Sequence, residues 1–153
     1  MQSVFMERIS NIPEQSGNNA PKPQLVISGD NDYITTVAYF PDGRVVTGSR
    51  SGAVRVWNSQ SGEQEGMMSM EHKNNITDLA VTRRDGPKII CARCDGEIKV
   101  WDIESHQLVK VWSHQEWDPV IAISPDDQLI AVGGRIVGIY TTEGVERVDL
   151  HQG

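Results

Sequence analysis

The chain contains little positive charge, no long apolar run and only two cysteines among its 153 residues. Its 14 Lys and Arg residues against 21 Asp and Glu residues give a net charge of −7, which argues against binding to nucleic-acid backbones. No stretch approaches the roughly 18 consecutive apolar residues of a membrane span, and residues 1–8 lack the apolar core of a secretory signal. These absences favour a cytoplasmic or nuclear protein whose partners are other proteins, not nucleic acid or membrane.

The two cysteines, Cys91 and Cys94, have a C-x-x-C spacing that is compatible with half of a zinc site or with a redox pair. A zinc site needs a second pair of ligands, and His106 and His114 lack the usual separation for one. We therefore interpret both cysteines as structural residues, and we expect neither a metal nor a cofactor.

Helical periodicity is also absent, and the chain divides into two parts by composition. Residues 10–24 hold three prolines and almost no apolar side chains, which predicts a flexible N-terminal tail over residues 1–24. From Leu25 onward, short β-rich runs alternate with turn signals about every ten residues, a pattern that is typical of an all-β fold.

The β-rich part contains a repeat of about forty residues. Three β-branched runs end in an aromatic residue, at separations of 44 and 39 positions: Trp57, Trp101 and Tyr140. A second series is spaced by 42 positions, and each member lies just before an apolar run: Tyr33, Asn75 and Trp117. The turns within each repeat predict a four-stranded antiparallel meander.

These repeats resemble those of WD-repeat proteins of the β-propeller class. The resemblance rests on Phe40–Gly43 and Val54–Asn58 in the first repeat, Ile98–Asp102 in the second and Ser124–Asp126 in the third. It covers about residues 25–153. It implies an all-β propeller segment in which three four-stranded antiparallel blades form an incomplete, open ring.

Blade one is expected at about residues 30–70, blade two at about 72–113 and blade three at about 114–150. Closed propellers have typically four to eight blades, so three blades leave two apolar blade faces to be covered. We hypothesise that the chain is the N-terminal part of a longer propeller, and an oligomer that closes the ring or an open arc in a complex are the alternatives. Residues 24–27 read as the outer strand of a preceding blade, and this surplus strand slightly disfavours ring closure by two copies.

The resemblance also implies a hydrogen-bonded set of His, Ser or Thr, Asp and Trp in each blade. Matched position by position, the second blade offers the fullest set, with cysteine in place of Ser or Thr: His72, Cys91, Asp95 and Trp101. The first blade keeps Thr47 and Trp57, and the third keeps His114. We therefore expect the first and third blades to be held mainly by apolar packing.

The resemblance further implies a non-catalytic scaffold that binds peptides or domains through loop and rim residues. Six loop residues are the candidates for partner binding: Tyr33, Arg50, Asn75, Arg93, Trp117 and Arg135. Blades that only complete a larger or self-associated propeller are the alternative. A propeller enzyme is disfavoured, because Asp78 is the single acid on the predicted inner strands and no nucleophile has a base at motif spacing.

Overall fold

The computed structural model describes residues 5–7, 19–28, 32–70, 74–142 and 147–148. Within these ranges the backbone forms β-strands and no helix. The same ranges therefore contain no helix that is long and apolar enough to cross a membrane. The predicted all-β class is confirmed.

Twelve of the described strands form three four-stranded antiparallel sheets, each with its strands in chain order. Blade one contains β3 (Ile34–Tyr39), β4 (Val45–Ser49), β5 (Ala53–Trp57) and β6 (Gln64–Met70). Blade two contains β7 (Ile76–Thr82), β8 (Lys88–Arg93), β9 (Glu97–Asp102) and β10 (Leu108–Ser113). Blade three contains β11 (Val120–Ile123), β12 (Leu129–Gly133), β13 (Val137–Thr141) and β14 (Arg147–Val148). The three predicted meanders are thus confirmed as blades of an open row.

A separate two-stranded sheet lies before blade one. In it β1 (Phe5–Glu7) pairs antiparallel with β2 (Val26–Ser28). The segment that the sequence suggested as the outer strand of a preceding blade therefore pairs with its own N-terminal segment. The rest of the predicted tail is described only at residues 19–24, and residues 1–4 and 8–18 lie outside the described residues.

Two apolar clusters join the blades, one at each blade-to-blade contact. In the first, Val46, Val54 and Val56 of blade one pack with residues of blade two that include Leu79, Ile89 and Cys91. In the second, blade two packs on blade three through Ile90, Ala92, Ile98, Val100, Ile130, Val132 and Tyr140. Because side chains alternate between the two sides of a sheet, every blade has a forward face toward the next blade and a rear face toward the preceding one.

Hydrogen bonds between neighbouring inner strands repeat the same arrangement at both contacts. The hydroxyl of Thr35 donates to the carbonyl oxygen of Ile76, and the hydroxyl of Thr77 donates to the carbonyl oxygen of Pro119 at 2.6 Å. At the second contact, a carboxylate oxygen of Asp78 also accepts from the backbone N–H of Ile121 at 2.8 Å. The blades are therefore stacked in one direction by apolar packing and by inner-strand hydrogen bonds.

Candidate protein-interaction surface

Tyr33, Asn75 and Trp117 lie just before the first, inner strand of each blade, and we call them the lead-in residues. In blades one and two they lie beside the turn between the second and third strands. The backbone N–H of Arg50 donates to the carbonyl oxygen of Tyr33 at 2.9 Å, and that of Cys94 donates to Asn75 at 2.8 Å. These bonds place the lead-in residues and the turns of blades one and two at one end of the sheets. Lead-in residues that are 42 positions apart in sequence therefore occupy equivalent positions in successive blades.

In blade three a side chain, that of Glu116, links the segment before the inner strand to the turn between the second and third strands. A carboxylate oxygen of Glu116 accepts from the backbone N–H groups of Arg135 at 2.8 Å and Ile136 at 3.1 Å. A Cβ on Gly134 would lie 2.7 Å from the Cβ of Glu116, so glycine is needed for this close approach. The sequence showed only that the turn of blade three is short and lacks an aspartate, and it gave no signal that Glu116 would replace it.

The two aromatic lead-in residues are strongly exposed. Trp117 has 77% of its surface exposed and Tyr33 has 67%. An indole with this exposure is presented to solvent and is not packed against the neighbouring blade. Large aromatic side chains presented to solvent on a rigid scaffold are the residue type that most often anchors protein partners.

The three candidate arginines differ in how freely they can bind a partner. The guanidinium of Arg50 lies 4.6 Å from the centre of the Tyr33 ring and 2.9 Å from a carboxylate oxygen of Asp32. Arg135 is exposed, and no ion pair to its side chain occurs among the described residues. Arg50 stiffens Tyr33 by stacking on it, whereas Arg135 presents its charge to solvent.

Arg93 is mostly covered and is engaged by its own blade. Its Nε and Nη2 donate to the two carboxylate oxygens of Asp95 at 2.9 Å and 2.7 Å, and Nη1 lies 3.2 Å from Glu97. The guanidinium of Arg93 holds the pKa of the Asp95 carboxyl below its usual value. A partner that used Arg93 would compete with this two-pronged ion pair.

In blade one the predicted structural residues meet directly. The indole N–H of Trp57 donates to the hydroxyl of Thr47 at 2.9 Å. The hydroxyls of Ser49 and Ser51 lie 2.7 Å apart, and the backbone N–H of Ala53 donates to Ser49 at 3.3 Å. A serine pair therefore holds the turn that a carboxylate holds in blade two.

In blade two the described part of the predicted set does not form one network. His72 lies outside the described residues. Asp95 pairs with Arg93, and the buried indole N–H of Trp101 lies beside the Cys91 thiol without reaching an oxygen or nitrogen acceptor among the described residues. Burial raises the pKa of the Cys91 thiol to about 11, so the thiol stays neutral near pH 7.

The surroundings of Cys91 are those of a residue that packs in the blade core. Cys91 and Cys94 are free thiols, and Cys91 is buried. No cluster of three or more His, Cys, Asp or Glu side chains suited to a metal ion occurs in the described ranges. A neutral, buried thiol is a poor nucleophile and a poor metal ligand.

Blade three has a buried polar contact in addition to its apolar packing. Nδ1 of His114 lies 2.9 Å from the hydroxyl of Tyr140, and both residues are buried. The two rings meet edge to face, with centres 6.0 Å apart. A tryptophan at position 140 would have no hydroxyl, so it could not form this contact with Nδ1 of His114.

We predict that Tyr140→Phe lowers the free energy of unfolding by about 1–3 kcal/mol, because it leaves the buried Nδ1 of His114 without a partner. Urea unfolding followed by far-UV circular dichroism measures this change. Tyr39→Phe is the matched control, since the Tyr39 ring is exposed and its hydroxyl has no described partner. Equal midpoints for the two variants would show that the His114–Tyr140 contact contributes no stability.

Asp78, the single acid on the predicted inner strands, lies at the contact between blades two and three. The two carboxylate oxygens of Asp78 accept from the backbone N–H groups of Leu79 and Ile121, at 2.9 Å and 2.8 Å. Both oxygens are thus occupied by backbone donors at a contact between blades. This geometry identifies Asp78 as part of the contact between blades two and three.

The fold and this surface together define a class: a protein built from repeated propeller blades that presents exposed aromatic and basic side chains at one end. The family model described as WD domain, G-beta repeat, matches residues 21–58 and 66–102. The chain belongs to the WD-repeat family.

Several curated proteins share the repeat. Target of rapamycin complex subunit wat1 of Schizosaccharomyces pombe is 24% identical over 134 residues, which cover 86% of this chain and 40% of that protein. WD repeat-containing protein SL1-17 of Schistosoma mansoni is 31% identical over 67% of this chain and 34% of its own length. Eukaryotic translation initiation factor 3 subunit I of Drosophila grimshawi is 26% identical over 74% of this chain and 35% of its own length. The chain thus spans well under half of the length of these relatives.

Proposed function

We propose that this chain is a non-catalytic scaffold of the cytoplasm or nucleus that binds a peptide or a domain of another protein. The surface is formed by the lead-in residues and the adjacent turns, with Trp117 as its anchor. The observation that carries the proposal is the exposure of Trp117, at 77%, on a loop that Glu116 holds rigidly to the neighbouring turn. A large aromatic side chain that is presented but not packed is suited to filling a pocket on a partner.

The names of the relatives support a role in assemblies. Two of them are called subunits, one of the target of rapamycin complex and one of eukaryotic translation initiation factor 3. Binding to other proteins is consistent with the family and with the position of Asp78 at a contact between blades. The proposal for this chain extends only to binding another protein, and it assigns the chain to neither complex.

The residues of the surface have different roles in this proposal. Trp117 and Arg135 lie on the two loops that Glu116 joins and would form direct contacts with the partner. Tyr33, backed by Arg50, would form a second aromatic contact. Asn75 lies between these two lead-in positions in the repeat, while Arg93 serves mainly to hold its own turn through Asp95.

We expect Trp117→Ala to reduce recovery of bound proteins at least about fivefold and to change the free energy of unfolding by no more than about 0.5 kcal/mol, because the side chain is exposed. Pull-down from cell extract with quantitative mass spectrometry measures the first, and urea unfolding measures the second. Leu108→Ala is the control, since Leu108 is an exposed apolar residue on the outer strand of blade two. Undiminished recovery with Trp117→Ala would contradict the assignment of this surface, and lowered stability would indicate a packing role.

The second candidate function is structural: blades that complete a larger propeller and leave partner contacts to other blades. The exposed apolar residues on the rear face of blade one and on the forward face of blade three favour it, because apolar sheet faces are normally covered: Val37, Tyr39, Val120 and Val137. In that case Trp117→Ala would leave partner recovery unchanged, whereas substitutions on the blade faces would weaken assembly.

A further inference from the structure

The dipeptide Asp-Gly occurs three times in the chain, beginning at Asp42, Asp85 and Asp95. Each pair lies in a turn between two strands, and each glycine has a positive φ, of 97°, 93° and 94° in chain order. Glycine has no Cβ, so the amide nitrogen that follows the aspartate is open to the aspartate side chain. Each pair therefore has the local sequence in which a backbone amide can attack a carboxyl group.

Two of the three carboxylates are held by hydrogen bonds. Asp42 accepts from the backbone N–H of Arg44 at 3.0 Å and from its Nε at 2.9 Å. Asp95 accepts from the backbone N–H of Glu97 at 3.2 Å and from the guanidinium of Arg93. Each guanidinium holds the pKa of its partner carboxyl below the usual value, so both carboxylates are ionised at neutral pH.

Asp85 lacks the donor that the other two aspartates share. The residue two positions after Asp42 and after Asp95 donates its backbone N–H to the carboxylate. The corresponding residue after Asp85 is Pro87, which has no N–H. Asp85 is exposed, and its carboxylate has no hydrogen bond or ion pair to any residue that the structure describes. This carboxyl group is therefore free to turn toward the backbone.

The Gly86 amide is the least constrained of the three glycine amides. Its N–H donates to the carbonyl oxygen of Arg83 at 3.2 Å, whereas the corresponding bonds of Gly43 and Gly96 are 2.9 Å and 2.8 Å long. A Cβ on Gly86 would meet no heavy atom within 4 Å, but one on Gly96 would lie 2.7 Å from the carbonyl oxygen of Glu116. The turn at Gly86 thus has the most room to change shape.

Lys88 and the backbone conformation of Asp85 both favour reaction at this turn. The ammonium of Lys88 donates to the carbonyl oxygens of Arg84, at 2.9 Å, and of Asp85. The Asp85 carbonyl and the Gly86 N–H belong to one peptide group, and a cation on its oxygen stabilises the deprotonated amide. Asp85 has a φ of 53°, in the left-handed region that residues with a side chain disfavour, so opening of the turn relieves this conformation.

We propose that Asp85 is a site of spontaneous isomerisation to isoaspartate, and that the missing N–H at Pro87 distinguishes it from Asp42 and Asp95. The deprotonated amide nitrogen of Gly86 attacks Cγ of the protonated Asp85 carboxyl. A C–N bond forms and a C–O bond breaks, with the net loss of one water molecule, and the product is a five-membered succinimide. One water molecule then opens the ring. Cleavage of the C–N bond at Cγ restores aspartate, cleavage at the backbone carbonyl gives isoaspartate, and nothing is oxidised or reduced.

Isomerisation at this turn affects the contact between blades two and three. Isoaspartate adds one methylene group to the backbone, because the main chain then runs through the side-chain carboxyl. The residues just before the turn, Thr82 and Arg83, donate to a carboxylate oxygen of Asp127 in blade three, at 3.1 Å and 3.0 Å. We therefore expect the converted chain to hold blade three less firmly.

Incubation of the full chain at neutral pH in water labelled with heavy oxygen tests the proposal. Each hydrolysis of a succinimide introduces one heavy oxygen atom, and peptide mapping by mass spectrometry measures it at each Asp-Gly pair. We expect labelling at Asp85 to be at least about fivefold faster than at Asp42 or Asp95, which must first lose hydrogen bonds to charged groups. In urea-unfolded chain this difference should largely disappear. The labelled peptide should contain isoaspartate, which electron-transfer fragmentation distinguishes from aspartate.

Pro87→Ala tests the cause, because it restores an N–H two residues after Asp85 and should slow labelling there at least about threefold. Pro41→Ala is the matched control, since Pro41 is an exposed proline in the equivalent turn of blade one and should leave labelling at Asp85 unchanged. Asp85→Glu should abolish labelling at this turn, because glutamate cannot form the five-membered ring. Equal labelling of the three aspartates in the folded chain, or labelled Asp85 without isoaspartate, would overturn the proposal. Labelling that Pro87→Ala leaves unchanged or accelerates would equally overturn it.

Discussion

Trp57→Ala is expected to lower the free energy of unfolding by about 3–5 kcal/mol. The indole is almost completely buried, and its N–H donates to the hydroxyl of Thr47 across two paired strands. The substitution removes the largest fully buried side chain of blade one and leaves the Thr47 hydroxyl without this partner. Urea unfolding, followed by circular dichroism at low protein concentration, measures the loss.

Trp117→Ala is the control for this substitution, because it makes the same chemical change at an exposed position. Trp57→Phe separates the two contributions, since it keeps most of the apolar volume and removes the N–H. We expect Trp57→Phe to lose only part of the stability that Trp57→Ala loses. If Trp57→Ala and Trp117→Ala unfolded at the same urea concentration, the assigned burial of Trp57 would be wrong.

Gly48→Ala is expected to lower the free energy of unfolding by about 1–3 kcal/mol, although it adds a single methyl group. A Cβ at this position would lie 2.5 Å from Cγ2 and 2.9 Å from Cβ of Ile76, and 2.9 Å from Cγ2 of Thr36. Two of these atoms are on a β-branched side chain of the next blade, whose rotation is restricted. The added methyl group therefore pushes blades one and two apart, and thermal unfolding should detect this as a lower melting temperature.

Gly133→Ala provides the comparison for Gly48→Ala, because the two glycines hold corresponding positions on forward faces. At Gly133 the nearest heavy atom to an added Cβ is 3.5 Å away, which is an ordinary contact. The single chain, studied at low concentration, should tolerate Gly133→Ala with little change in stability. Equal destabilisation by both substitutions would show that glycine is needed for backbone reasons and not for the approach of the next blade.

The architecture could be predicted from the sequence because the repeat recurs three times in phase. Strands β3 and β7 begin at Ile34 and Ile76, directly after Tyr33 and Asn75, the two residues that the 42-residue spacing places just before apolar runs. A turn with Pro or Gly also limits how far each strand can extend. Local signals of this kind are sufficient for strands and for their order in a meander.

The polar contacts could not be predicted to the same degree, because each depends on residues that are distant in sequence. Glu116 supports a turn 19 residues away, and His114 meets Tyr140 from 26 residues away. The family pattern directed attention to Asp95 as a partner of histidine, but Arg93 is two residues away and takes both carboxylate oxygens. The turn is thus held by a local ion pair between Arg93 and Asp95.

The Asp78 carboxylate connects the local unfolding of blade two with that of blade three. It accepts from the amide of Ile121 in the next blade, and Asp127 of blade three similarly accepts from the amide of Arg83 in blade two. Local unfolding of blade two would therefore expose an amide proton in blade three, and unfolding of blade three would expose one in blade two. We therefore expect exchange with deuterium at these two amides to be coupled across the blade boundary, because each amide loses its acceptor when the other blade unfolds.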